Sequence, residues 1–266
     1  MIDATGAIRT MNISCRIAPK MGFGMRKILA VAGSLFVASG EGPAGEVPRS
    51  QPSRRPTATI PAPGSNVPVQ PSVLDHVAEK YRDAVATVMK SPSMTAKAEE
   101  EEFTANAKIY DWLIEHPDRA CLAWQRLKVP CLDITDHGKS VFKWADETGS
   151  ELTWQTVGKF EHGTIWYATG KVKAGTLIPT VPVKAVAILT APRTVDADGA
   201  STFKPSIQLF MLTDSKVAST VMRVVGPAAP KMAEQGAEQL LFFFSGIARY
   251  THRKPEQMET LLAPKK

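Results

Sequence analysis

The chain has 266 residues, a formal net charge of +6, 44% hydrophobic residues and 3 cysteines. That length and apolar content suit one folded unit with a sizeable core and exclude both a disulfide-dense miniprotein and a wholly disordered chain. The basic excess does not mark a nucleic-acid protein: residues 1–40 hold five basic residues and one acidic, whereas Val73 onward balances 24 Lys or Arg against 23 Asp or Glu.

Residues 25–39 read MRKILAVAGSLFVAS, a short basic start (Arg26, Lys27), a brief apolar run and small residues. This is the pattern of an export signal, too short to span a bilayer, which takes roughly 20 apolar residues. The expected location is therefore periplasmic or extracellular, with no transmembrane segment left in the mature chain. Cleavage is expected after Gly40 or Ala44, and translation from Met25 would make the first 24 residues an upstream extension. No cysteine follows the apolar run, which argues against a lipid-anchored lipoprotein. Residues 41–72 contain eight prolines and no aromatic, so this segment reads as a Pro-rich disordered linker. The expected organisation is thus 1–40 extension plus signal, 41–72 linker and 73–266 a single α+β domain.

Leu74, Val77, Tyr81, Val85 and Val88 recur at helical spacing and predict a helix ending near Ser91-Pro92. Phe103, Ala107, Tyr110, Leu113 and Ile114 predict a second, with Glu99 to Glu102 in its first turn, where negative charge complements the helix dipole. Four consecutive helical positions point around the axis, so this acidic run predicts no cation site. Pro117 predicts a third, short helix carrying Ala120, Trp124 and Leu127. Cys121 and Cys131 flank the exit from that helix. In an oxidising compartment they are placed to form a disulfide contributing roughly 3 kcal/mol.

From Leu132 the period becomes two. Segments near 131–136, 139–146, 151–161, 164–173, 183–190, 205–213 and 216–225 predict seven short antiparallel strands. A Thr148-Gly149-Ser150 loop would set Trp144 opposite Trp154 and Phe142 opposite Thr156. A His162-Gly163 turn would set Phe160 opposite Ile165. One sheet face would then carry Phe142, Trp144, Leu152, Trp154, Phe160, Ile165 and Tyr167. The other, with Lys143, Thr153, Gln155 and Lys159, would be wet, although Val157 and Trp166 fall there too.

The cover for the apolar face is a helix over about 228–250, with Met232, Gly236, Leu240, Phe243, Ile247 and Tyr250 on one stripe and Phe244 beside it. Arg249, His252, Arg253 and Lys254 near its end suit the helix dipole better than a polyanion. The fold class expected is α+β: N-terminal helices, then a curved antiparallel sheet of about seven strands covered by a long C-terminal helix. In architecture this resembles helix-grip lipid-binding domains, from which the leading helices depart. Small residues on that helix admit a cavity against the sheet. The leading functional expectation is an exported binding protein holding an apolar or lipid-like ligand there, with Trp144, Trp154, Tyr167, Leu240 and Phe244 as the ligand-binding residues.

Two other classes stay open. One is an interaction module with a filled core that engages an envelope protein. The other is a hydrolase using Asp133, Asp136 and His137 at one turn and Glu161 and His162 at another, if both turns converge. No P-loop, dinucleotide-binding or zinc motif is present in the sequence, and no cofactor or metal is expected. Binding is favoured over catalysis. Export makes a direct prediction: peptide mapping of the native protein will place its N-terminus after Gly40 or Ala44, and recovery of the intact first forty residues would contradict it.

Overall fold

The computed structural model describes residues 71–131, 133–146, 149–173, 180–195, 200–213 and 229–264. The expected signal, the Pro-rich linker up to residue 70 and the strand expected at 216–225 lie outside these residues, and the last two linker positions belong to a helix. Helices α1 (Pro71–Asp75), α2 (Glu79–Lys90), α3 (Ala107–Glu115) and α4 (Pro117–Arg126) come early, and α5 (Ala229–Arg253) and the short α6 (Met258–Leu262) close the chain. Between them run β1 (Met94–Glu99), β2 (Phe103–Ala105), β3 (Ile134–Asp136), β4 (Val141–Ala145), β5 (Glu151–Phe160), β6 (Gly163–Val172), β7 (Val181–Thr190), β8 (Arg193–Val195), β9 (Ser201–Phe203) and β10 (Ser206–Thr213).

Seven strands form one antiparallel sheet in the order β1-β10-β7-β6-β5-β4-β3, and β2-β9-β8 form a small second sheet. The architecture is α+β, with α5 on one face of the large sheet and α2 on the other. Two predicted elements differ. Met94–Glu99 is an edge strand paired with β10, so the acidic run does not open a helix. The helix instead begins after Asn106, whose side chain accepts a hydrogen bond from the Ile109 amide at 3.3 Å, an N-cap. The first predicted helix is interrupted at His76–Ala78, where Val77 bridges Gly158 of β5.

That bridge sits on a β-bulge. The pairing of β5 with β6 shifts between Thr156 and Gly158, so Trp154 lies opposite Ala168 while Gly158 lies opposite Ile165. An extra residue switches the side to which the following positions point. Both predicted hairpin registers are corrected, the first because the connection between β4 and β5 is longer than expected and the second because of this bulge. Trp144 faces Leu152 and Phe142 faces Trp154, two positions from expectation, which preserves the face. Phe160 faces Gly163, and past the bulge Phe160, Ile165 and Tyr167 turn to the α2 face, while Trp166 turns towards α5. The α2 face is only partly wet: Val157, Ile165, Tyr167, Val186, Ile188 and Phe210 pack against Val77, Val85, Val88 and Met89.

The Arg126 side chain ties down the C-terminal end, beside the buried Leu261. The Arg126 guanidinium donates to the carbonyls of Thr260, Leu261 and Ala263 at 2.7 to 2.9 Å, satisfying acceptors that the end of α6 leaves open.

The bulge is tested at Gly158, where a Cβ would stand 2.4 Å from the His76 carbonyl oxygen, a backbone atom that cannot swing away. The Ala78 amide donates to the Val157 carbonyl beside it at 2.8 Å. Gly158→Ala is expected to cost roughly 1–3 kcal/mol in urea unfolding and to speed hydrogen exchange at Ala78. Unchanged stability with a protected Ala78 amide would contradict the docking.

Candidate functional site

Helix α5 is pinned along its C-terminal half. Phe244 stacks on Trp166 with centroids 5.8 Å apart, and Phe243 meets Phe244 edge-on at 4.9 Å. On one flank the Trp124 indole N–H donates to the Phe243 carbonyl at 2.9 Å. Gly246 admits this indole, since a Cβ there would lie 2.7 Å from the Trp124 ring. On the other flank Glu100, in the link between β1 and β2, accepts from Ser245 at 2.7 Å and from Arg249 at 2.8 Å. The Arg249 guanidinium also lies over the Phe103 ring at 4.6 Å. Among the described residues, the second Glu100 oxygen, the Arg249 Nε and the buried Tyr110 hydroxyl find no hydrogen-bond partner.

The N-terminal half of α5 rests on small side chains, and a pocket opens there. Its roof is Ala233, Gly236 and Leu240, and its floor is Ala96, Ala185, Ala187 and Leu209 of the sheet. Trp144, Leu152 and Trp154 wall one end, and Met94 and Met211 belong to the β1-β10 edge. The cavity measures about 140 Å³. No charged side chain among the described residues lines it. Such a surface recognises shape and apolar area.

Of the residues expected to bind ligand, the structure brings Trp144, Trp154 and Leu240 together around this pocket. Phe244 is buried one turn further on against Trp166. Tyr167 is on the opposite face, under α2, because the bulge separates its side from that of Trp154. Met94, Ala96 and Met211 were absent from the expectation. Alternation in Met94-Thr95-Ala96-Lys97-Ala98-Glu99 was the available signal, weakened by alanine's low strand propensity.

The other candidates resolve differently. The Asp136-His137 and Glu161-His162 turns lie at the same end of the sheet, but β4 begins opposite Gln155 while β5 runs on to Phe160. Five further strand residues separate the turns by roughly 17 Å. No metal-binding group of His, Cys, Asp and Glu occurs among the described residues. His162 instead borders a cleft of about 210 Å³ between α3 and the sheet. The charges of that cleft pair with each other, Lys159 with Glu115, and Arg193 with Asp111 at 2.7 Å. The structure does not bear out the disulfide expected between Cys121 and Cys131. A hydrogen bond with Cys121 and then burial push the Cys131 thiol up.

No protein-family model matches the chain, and no curated protein matches it. Among solved structures, a conserved protein from Geobacillus kaustophilus aligns at TM-score 0.37 and 12% identity over 60% of this chain and 97% of that one. Ara h 8.0201 aligns at 0.28 and 17%, over 56% and 99% of the two chains. Norcoclaurine synthase from Thalictrum flavum aligns at 0.29 and 12%, over 56% and 87%. Likenesses this distant establish no function for this chain.

The polar knot at α5 yields a titration prediction. Burial holds the Glu100 carboxyl above the usual range, against the opposing pulls of Ser245 and Arg249, whereas Lys97 holds the exposed Glu99 below it. A carboxyl raised in the folded state favours folding when protonated, and that contribution is lost as pH rises through its folded value. Carbon-detected NMR is expected to show Glu100 titrating at higher pH than Glu99; the reverse order would contradict the assignment.

Proposed function

We propose that this protein is a binding protein that holds an apolar small molecule between the sheet and the N-terminal half of α5. The observation that carries this reading is the pocket itself: a closely pinned helix half beside a loosely filled one. Native cores close such gaps, because an unfilled apolar cavity forfeits contacts on every wall. Small residues opposing one another at Ala96, Ala185 and Ala187 on the floor and Ala233 and Gly236 on the roof are what a ligand site requires.

Export belongs to the same proposal. The basic and apolar segment at 25–39 would deliver the chain across a membrane, and the proline-rich 41–72 would space the domain from its leader. Among the described residues no helix is long and apolar enough to cross a bilayer. Docking of an envelope protein by strand addition is disfavoured at the β1 edge, where Lys97 and Glu99 form an exposed ion pair at 2.7 Å. Charges on an edge strand oppose pairing with another chain.

The reading is tested by organic extraction and mass spectrometry of the protein purified from its own source. The wild type is expected to release an apolar compound in near-stoichiometric amount, and folded Gly236→Leu, whose new side chain fills the roof, is expected to release little. Equal recovery from both proteins, or none from either, would contradict a ligand site beneath α5.

A further inference from the structure

We infer that the enclosed part of this pocket takes an uncharged, ring-sized group, the class of small aromatic molecules, rather than a charged ligand or the buried chains of a bilayer lipid. The inference rests on the reading of the pocket as a ligand site and narrows what enters it. Size is the first constraint. At about 140 Å³ the cavity matches an engineered apolar cavity of roughly 150 Å³ that stays dry and binds benzene. A longer molecule would leave its remainder at the mouth.

Wall chemistry is the second constraint. Trp144 and Trp154 present indole surfaces at one end, and Met94 and Met211 bring polarisable thioethers to the lining. Both groups favour contact with an aromatic ring. Polarity is the third. With no charged side chain among the described lining residues, a carboxylate or ammonium placed inside would lose its hydration without a partner. The floor is also fixed in width, because Ala185 and Ala187 belong to β7, an interior strand paired on both sides, with β6 and β10.

Toluene, benzoate and palmitate separate these constraints when titrated into the full-length protein and followed by the indole N–H signals of Trp144 and Trp154. Toluene is expected to shift both saturably, and benzoate, the same ring carrying a charge, to bind at least about ten-fold more weakly. Ala187→Leu, which fills the floor, is expected to abolish the toluene response. If that variant fails to fold, Leu240→Ala is the second test: the enlarged roof should admit naphthalene, which the wild type excludes. Equal responses to toluene and benzoate, or palmitate binding with no toluene response, would overturn the inference and leave the ligand site standing. No response to any probe would overturn both.

Discussion

One extra residue in β5 organises this protein. Up to Thr156 the strand offers Leu152 and Trp154 to α5, and beyond the bulge it offers Phe160 to α2. Without the bulge, alternation would carry Trp154 and Phe160 to the same side. The disturbed ladder is closed by the chain that precedes α2: Val77 bridges Gly158, and the Ala78 amide satisfies the Val157 carbonyl. A local irregularity in one strand therefore explains both why the N-terminal helices dock where they do and why an antiparallel sheet has apolar residues on both faces.

The pocket follows from how α5 is held. Its C-terminal half is fixed by aromatic stacking with Trp166, by the Trp124 hydrogen bond and by Glu100 reaching Ser245 and Arg249. A helix gripped at one end cannot sink further at the other, so small residues beneath Ala233 and Gly236 leave space rather than closer packing. The half-buried ion pair is not needed to account for stability, since desolvation offsets much of the attraction of such pairs. It ties α5 to the link between β1 and β2.

Much of this was legible in the sequence. The two-residue periodicity after Leu132 gave strands close to those observed, the apolar stripe over 228–250 gave α5, and the hairpin at Trp144 kept its face although its register was two positions off. Three things were hidden for separate reasons. Strand β1 was masked because alanines alternating with charges carry little strand propensity and precede four glutamates that suit a helix start. The bulge leaves no mark in composition, and it puts Tyr167 on the α2 face rather than the side of Trp154. The disulfide expected between Cys121 and Cys131 is not borne out, because sequence spacing does not report oxidation state.

The pocket proposed to hold a ligand lies on the α5 face, and the bulge separates it from the α2 face. Intermolecular NOEs from a bound methyl-bearing aromatic probe distinguish the two faces. NOEs are expected to the Trp144 and Trp154 indoles and to the Leu240 methyls, with none to Tyr167. NOEs to Tyr167 or to the α2 side chains, with the two tryptophans silent, would contradict that proposal.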